Sequence, residues 1–335
     1  MNVLLKSGKL LDDSGNLIAS GFAFDLVKQY RKSEVLLLNR LKEINKYYII
    51  NDHISLSLVV NSGFNDTFIN ISFTDFEKNI TYTKTKVKVR EQSRIVMTPS
   101  SKLGSIEYEK DDVCVEIYND YSDRKLIFSM KNFAGRQDFY CLVNMHETTN
   151  GTSVIACPFE KEQEFLYNQH INCMKVDGYV NIGYDHYVFT EDTRASMDWI
   201  RGVFPKGDLS YKIACLSTIK DGIEVGFVFV DKLGSAKYAT PNMIFHDMHA
   251  CKLNEVRFKQ EKHKDVYKFT ITSPDKQLEL EFESCNVVKE QGFSIYEKVD
   301  RRVIYGKYKG YIMFDQDRIE INDLFGFVEV NNCKY

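Results

Sequence analysis

Residues 197–205 contain the densest group of side chains that could do chemistry. Trp199 is the chain's only tryptophan; it stands between Asp198 and Arg201, and Gly202 follows. The three-residue spacing predicts an ion pair between Asp198 and Arg201, with the indole shielding the guanidinium group from water. In a catalytic interpretation, burial raises the pKa of Asp198, which acts as a general acid or base, while Arg201 positions an anion or a carbonyl. In a structural interpretation, the same pair is a buried corner.

Tyr167 and His170 form a second candidate group. If residues 165–170 form a strand, Tyr167 lies on one face and His170 on the other. A phenol and an imidazole beside a cavity could exchange protons with a ligand. The commoner alternative is a partly buried aromatic residue next to an exposed histidine.

His246 and His249 are spaced like a metal-binding pair, but that spacing suits a helix. Residues 241–245 resemble a strand that runs into a turn, so we favour a solvated turn and predict no metal site. The sequence also lacks the glycine-rich signatures of dinucleotide and phosphate sites and the Gly-x-Ser-x-Gly signature of hydrolases. We therefore predict no cofactor.

Composition limits the possible partners and compartments. The 335 residues carry a formal net charge of −3, so no general positive field is available to hold a nucleic acid. The eight cysteines form no C-x-x-C pair, and most lie in apolar stretches typical of buried free thiols. The first residues do not resemble a signal peptide, and no uncharged stretch approaches the roughly 20 residues that span a bilayer. We expect a cytoplasmic protein without membrane insertion.

Alternation of apolar and polar residues predicts a mainly antiparallel β protein. The abundance of Phe, Tyr, Val and Ile favours strands over helices. Alternating runs bounded by turn residues occupy residues 54–60, 67–73, 80–87, 113–117, 125–130, 178–184, 222–230, 266–271, 278–282, 303–312 and 318–321. One modest helix is predicted within residues 26–47, where apolar residues fall near a helical period. A turn at residues 150–153 predicts a boundary between two β bodies, residues 1–150 and 151–335.

Taken in order along the chain, several short pieces resemble the family known as domain of unknown function 2804. They are residues 10–17, residues 40–43 before Tyr47 and Tyr48, Phe165 and Tyr167 before Gly178, residues 198–202, Pro241 and Asn242, residues 291–293, and Gly326 with Glu329. That family is similar to two-domain, lipocalin-like proteins that include carotenoid hydratases, tocopherol cyclases and fungal cyclases of the Diels-Alder type.

The resemblance implies an all-β fold of two lipocalin-like, calycin-type antiparallel bodies that enclose an apolar pocket. It also implies cofactor-free isomerisation, hydration or cyclisation. Residue by residue, it extends to Asp198, Arg201, Gly202, Asn242 and Glu329. The chain has Ile44 where the family tends to have a tryptophan, and Tyr211 with Ile213 where the family tends to have two aromatic residues. The pocket is therefore expected to differ in shape, or the activity to be lost.

Our first hypothesis is a cofactor-independent acid/base enzyme of the isomerase, hydratase or cyclase type, acting on an enclosed apolar or amphipathic small molecule. Asp198, Glu329 and Tyr167 are the candidate catalytic residues, since two carboxylates in unlike surroundings can divide acid and base roles. The candidate substrate-binding residues are Trp199, Arg201, Gly202, Asn242 and His170.

Two other classes of function remain open at this stage. One is a protein that binds a lipid-like ligand and returns it unchanged. The other is a carbohydrate-active protein of the glycosidase type, which would use Asp198 and Glu329 as its carboxylate pair. Each hypothesis predicts a small-molecule partner, and none predicts an oligomeric state.

Overall fold

The protein is described here from a computed structural model that covers residues 3–63, 66–89, 95–234, 237–293 and 298–334. Within these residues the chain forms strands joined by short turns, and its helical segments are two 3₁₀ turns, Lys32–Glu34 and Leu38–Arg40. The prediction of an all-β fold with few short helices is confirmed. In this part of the chain, no helix has the length and apolar character needed to cross a membrane.

A first large sheet contains thirteen of the described strands. The N-terminal part also forms a small parallel pair, β1 (Gly8–Lys9) with β3 (Lys28–Gln29). The strands of the first large sheet are β2 (Gly21–Ala23), β4 (Leu41–Ile50), β5 (Ile54–Gly63), β6 (Asp66–Asp75), β7 (Ile80–Val89), β8 (Leu103–Lys110), β9 (Val113–Asp120), β10 (Asp123–Ala134), β11 (Gln137–His146), β12 (Ser153–Pro158), β13 (Phe165–Ile182), β14 (Asp185–Val188) and β15 (Arg194–Val203).

A second sheet contains nine described strands, again all antiparallel. They are β16 (Asp208–Lys220), β17 (Ile223–Asp231), β18 (Met243–His246), β19 (His249–Lys252), β20 (Arg257–His263), β21 (Val266–Thr272), β22 (Leu278–Phe293), β23 (Lys298–Phe314) and β24 (Asp317–Lys334). The main path of the first sheet runs β7-β6-β5-β4-β15-β13-β11-β10-β9-β8, and the second runs β19-β18-β17-β16-β24-β23-β22-β21-β20.

Each sheet curls around its own apolar core. In the first sheet, the Lys84 ammonium group donates to the carbonyl of Lys131 at 3.2 Å, and Lys86 forms an ion pair with Asp112, so β7 reaches the β9–β10 side. The core inside this sheet contains Trp199, while a separate cluster fills the second sheet. This half-barrel arrangement confirms the prediction of two lipocalin-like β bodies.

The predicted helix within residues 26–47 is wrong. The helical structure there is limited to the two 3₁₀ turns, β3 occupies Lys28–Gln29, and β4 begins at Leu41. Nearly every residue of β4 is buried, because one face contacts the core of the first sheet and the other faces the second sheet. A strand buried on both faces need not alternate between apolar and polar residues, so its apolar positions can fall near a helical period.

The two large sheets divide the chain between Val203 and Asp208, so β12 to β15 belong to the first sheet. Domains are defined by independent folding rather than by strand pairing. The predicted division into residues 1–150 and 151–335 therefore stays a prediction.

The predicted turn between His246 and His249 is confirmed. The two histidines are cross-strand partners at the end of the β18–β19 hairpin, and Asp247 and Met248 form its turn with positive φ angles of 46° and 63°. The His249 ring contacts the carbonyl of Asp247 at 2.6 Å. This is the geometry of a tight two-residue hairpin turn.

Candidate functional site

The outer face of β4 and its neighbouring strands packs against the second sheet, and the contact between them is unusually polar. We call this contact the inter-sheet seam and define it by three links. Lys46 of β4 bonds to Glu329 of β24, Ser72 of β6 bonds to Glu290 of β22, and Arg301 of β23 bonds to the same Glu290. All five side chains are buried. Burying a charge destabilises the folded state unless the charge is paired, so the seam keeps ionisable groups where apolar residues would be as stable or more stable.

Glu329 is the centre of the seam network. Its carboxylate accepts hydrogen bonds from Lys46 at 2.6 Å, from Asn331 at 2.7 Å and from the Tyr48 hydroxyl, and Arg301 lies 3.9 Å away. Burial alone would raise the pKa of Glu329, but the charges of Lys46 and Arg301 and the donated hydrogen bonds outweigh it and lower the pKa to about 2. Glu329 therefore stays ionised and is a weak base.

A second ion pair lies beside this network. The Arg301 guanidinium group contacts Glu290 and donates to the Ser57 hydroxyl at 3.3 Å, while Ser72 donates to Glu290 at 2.9 Å. Burial would lower the pKa of Arg301, but the adjacent Glu290 carboxylate raises it above its ordinary value. The pair holds a fixed positive group at the seam.

Asp198 and His170 form a hydrogen-bonded dyad on the same face of the first sheet. They are cross-strand partners on β15 and β13, and His170 Nδ1 lies 3.0 Å from Asp198 Oδ1. If His170 Nδ1 donates to the carboxylate, Nε2 is left to accept a hydrogen bond from the Asn172 amide at 3.3 Å. A carboxylate that orients a neutral imidazole is the arrangement of a general base. Lys46 is the cross-strand neighbour of Asp198 on β4, so the dyad and the Glu329 network lie on the same face of the first sheet.

Cys215 also faces the dyad. Its sulfur lies 4.0 Å from His170 Nε2 and donates to the Ser196 hydroxyl at 3.6 Å. Burial raises the pKa of the Cys215 thiol above its ordinary value, so the sulfur is a protonated thiol.

A small cavity of about 50 Å³ lies in the seam. Its walls come from β4 to β7 on one side and from β16, β22, β23 and β24 on the other, and they include Lys46, Tyr211, Glu290, Arg301 and Asn331. None of the site residues predicted from the sequence lines it directly. The cavity has room for about two water molecules or one small functional group.

Asn61 lines this cavity with a side chain whose polar atoms are unpaired among the described residues. The residue is 1% exposed, and neither its amide nitrogen nor its amide oxygen has a hydrogen-bond partner within the described part of the chain. A buried amide without partners destabilises a fold by about 1–3 kcal/mol per unmet group. Groups retained at such a cost often serve a ligand.

The predicted ion pair between Asp198 and Arg201 is wrong. Residues three apart in a strand point to opposite faces, and Asp198 faces the seam while Arg201 lies inside the first sheet. Arg201 instead lies 3.8 Å from Glu43, donates to the Asn45 side chain at 3.1 Å and stacks on the Trp199 ring at 4.2 Å. A spacing of three residues brings two side chains together on a helix but not on a strand such as β15.

Trp199 and Tyr167 share this interior face with Arg201. Their rings meet edge to face at 5.6 Å, and the Tyr167 hydroxyl donates to the backbone carbonyl of Lys28 at 3.0 Å. Burial raises the pKa of Tyr167 above its ordinary value. The group fastens β3 to the large sheet, so in this structure it packs as scaffold; the proton-transfer role of Tyr167 stays a prediction.

Gly202 and Asn242 occupy other structural positions. A Cβ at Gly202 would lie 2.4 Å from the carbonyl oxygen of Phe165 on β13, so the residue allows close strand approach. The Asn242 side chain accepts from the Val230 amide at 2.7 Å and donates to the Asn254 carbonyl at 2.7 Å. Their predicted binding roles stay predictions.

The structure therefore gathers Asp198, His170 and Glu329 on the seam and leaves the other predicted residues elsewhere. Sequence reasoning missed the partners that make the seam, which are Lys46, Tyr48, Asn61, Glu290 and Arg301. One signal was present: residues 42, 43 and 46 are charged, yet they lie next to the apolar run 47–50. Charges inside such a run indicate buried partners.

The largest described depression lies elsewhere, with a volume of about 960 Å³. It is lined by residues of β9, β10, β11 and β13, and its charges pair with one another, as His146 does with Asp123 at 2.7 Å. It contains none of the predicted site residues and no part of the seam network.

Two curled antiparallel sheets packed face to face define a lipocalin-like, all-β protein. The chain belongs to the family described as Domain of unknown function (DUF2804), whose model matches residues 2–335. No curated protein sequence matches it significantly.

Solved structures share the fold at low sequence identity. A crystal structure of CghA with Sch210972 is 8% identical with a TM-score of 0.54, covering 98% of this chain and 97% of that one. An AttH protein from Nitrosomonas europaea is 8% identical with a TM-score of 0.50, covering 87% and 92%. Kievitone hydratase from Nectria haematococca is 10% identical with a TM-score of 0.46, covering 96% and 98%. At these identities the first two establish the fold alone.

Proposed function

We propose that the protein is a cofactor-independent acid/base enzyme of the isomerase, hydratase or cyclase type, and that its small-molecule substrate binds along the inter-sheet seam. The observation that carries this proposal is the buried network itself, in which a small cavity and two fixed cations lie between the sheets, and the Asp198–His170 dyad lies on the same face of the first sheet as Lys46. An apolar or amphipathic substrate fits the mixture of polar groups and apolar side chains between the sheets.

In the proposed mechanism, His170 moves the proton. When the substrate takes the place of the Asn172 amide at Nε2, this atom accepts a proton from the substrate or returns one, and Asp198 stabilises the imidazolium ion that forms. Lys46 and Arg301 stabilise negative charge that develops on a substrate oxygen. Glu329 holds Lys46 in place and is not the base, because its pKa is too low for that task.

The size of the cavity sets a condition on binding. About 50 Å³ accommodates a polar head group but not a whole substrate. The two sheets must therefore part along the seam when the body of the substrate enters, as in other enzymes that close over a ligand.

Support also comes from fold likeness and from the family resemblance. CghA, whose fold is similar to that of this chain, was crystallised with the compound Sch210972. The families that the sequence resembles carry out hydration and cyclisation without a cofactor.

Binding without chemistry is the alternative, and one observation favours it. The ionisable groups of the seam already have partners inside the protein, such as Lys46 for Glu329 and His170 for Asp198. A protein that only binds its ligand needs no proton donor or acceptor left open to the ligand.

The proposal can be tested with a defined library of polyene and terpenoid compounds, followed by product analysis by mass spectrometry. We expect His170→Gln and Asp198→Asn each to lower turnover by about 10²-fold or more, because general-base catalysis is worth that much. The matched control is the exposed His146–Asp123 pair, whose His146→Gln variant should keep full turnover. Equal turnover by wild type and His170→Gln contradicts the mechanism, and compounds that are retained but returned unchanged support the binding alternative.

A further inference from the structure

We infer that the seam cavity binds a ligand group that presents a hydrogen-bond donor and acceptor side by side, of the carboxamide class, and that Asn61 recognises this group. The inference rests on the proposed location of the substrate and names the chemistry of one end of it.

The argument begins with what the Asn61 side chain offers. Its amide carries two N–H donors and one carbonyl acceptor, and neither atom has a partner within the described residues. The residue lies on β5 between Ile44 of β4 and Phe68 of β6, which are its cross-strand neighbours and also line the cavity. Its directly opposite neighbours on both adjacent strands are therefore apolar.

The charged residues of the cavity wall have partners of their own. Lys46 pairs with Glu329, Arg301 pairs with Glu290, and Lys42 also has a partner within the protein. A ligand carboxylate would have to compete with these acidic partners for the cations. It would also leave the Asn61 carbonyl without a donor, since an ionised carboxylate only accepts hydrogen bonds.

A neutral carboxamide satisfies both atoms of Asn61 at once. Its N–H donates to the Asn61 carbonyl, and its oxygen accepts from the Asn61 amide nitrogen. Its size also agrees with a cavity of about 50 Å³. Specificity of this kind is strong, because an analogue that lacks one of the two groups leaves a buried polar atom unpaired.

The experiment uses acetamide as the probe and saturation-transfer NMR with the full-length protein. We expect acetamide to bind to wild type, and acetone, which only accepts hydrogen bonds, and sodium acetate, which is an anion, to bind more weakly. Asn61→Leu should weaken acetamide binding by more than about tenfold, as expected for the loss of a hydrogen-bonded pair. The matched control is Asn119→Leu, a buried asparagine on β9 away from the cavity whose carbonyl oxygen also lacks a partner. That variant should bind acetamide like wild type.

Stability gives a second readout. Because Asn61→Leu replaces an unpaired buried amide by an apolar group, we expect its thermal midpoint to equal or exceed that of ligand-free wild type. If Asn61→Leu does not fold, Asn61→Asp keeps the shape, removes the donor and should lose acetamide binding. No acetamide binding to wild type, equal binding to a folded Asn61 variant, or preference for acetate would each overturn the inference.

These outcomes are separable from those of the proposed function. Library turnover that depends on His170, without acetamide binding, overturns this inference and leaves the enzyme proposal intact. Acetamide binding that depends on Asn61, without turnover of any library compound, supports this inference and contradicts the enzyme proposal.

Discussion

Glu329 shows how a single buried carboxylate can organise a site without doing its chemistry. Three donors and a nearby guanidinium group surround it, and its pKa of about 2 keeps it ionised at any physiological pH. Glu329 positions Lys46 and Tyr48 at the seam, because both side chains donate hydrogen bonds to its carboxylate. Its role is therefore closer to that of a structural anchor than to that of the second catalytic carboxylate expected from the sequence.

Replacing Glu329 by glutamine should destabilise the protein by about 3 kcal/mol at pH 7, because Lys46 loses its buried counter-ion. The pKa of Glu329 in the folded protein is lowered from 4.5 to about 2, so its contribution is fully present above pH 4.5 and is lost as the pH falls toward 2. The difference between wild type and Glu329→Gln should shrink over this range. Urea unfolding at pH 7, 4 and 3 measures it, and a difference that does not change with pH contradicts the assignment.

Individual site residues were only partly predictable from the sequence. The sequence identifies Asp198 as a candidate acid or base but predicts Arg201 as its partner. Arg201 lies on the other face of β15. The true partner, His170, is 28 positions away, and only strand register brings the two together. Local spacing cannot reveal a contact of this kind, since it depends on which strands pair.

Among the strands, β4 contributes side chains to two different buried polar clusters, one on each of its faces. One face of β4 carries Glu43 and Asn45 toward Arg201, and the other carries Lys46 and Tyr48 toward Glu329. The strand therefore separates two buried polar clusters. Strands with one solvated face, such as β9, could be predicted because their sequence alternates. β4 was missed because both of its faces are buried.

The pairing of β13 with β15 depends on Gly202. A methyl group there would lie 2.4 Å from the carbonyl oxygen of Phe165, which belongs to rigid backbone. We expect Gly202→Ala to destabilise the fold by about 3 kcal/mol through overpacking.

The control for this prediction is Gly135→Ala, where an added Cβ meets nothing within 4 Å but φ is +67°. It should cost only about 1–2 kcal/mol of left-handed backbone strain. Chemical denaturation compares the two variants, and equal stability losses would show that contact with Phe165 is not the cause.

For the whole molecule, the sequence predicted two lipocalin-like bodies, and the structure confirms them. The sequence could not predict the seam between them, because the cavity walls and the Asp198–His170 dyad come from ten strands spread between residues 41 and 334. Each body encloses its own apolar core, and the first also buries the Arg201–Glu43 pair, while the Glu329 and Glu290 networks and the small cavity lie where the bodies meet. This distribution is the physical reason for placing the ligand between the sheets rather than inside either one.

The central claim, that the seam is the ligand site, can be measured by affinity selection of the polyene and terpenoid library with mass-spectrometric detection. The seam variant is Lys46→Met with Glu329→Leu, since replacing both partners of a buried ion pair by apolar residues usually preserves stability. The control is Lys268→Met with Glu283→Leu, an exposed cross-strand pair at 2.6 Å. We predict that wild type and the control retain the same compounds and that the folded seam variant binds them at least about 100-fold more weakly, as expected for lost charged contacts. Equal retention by all three proteins would contradict the account.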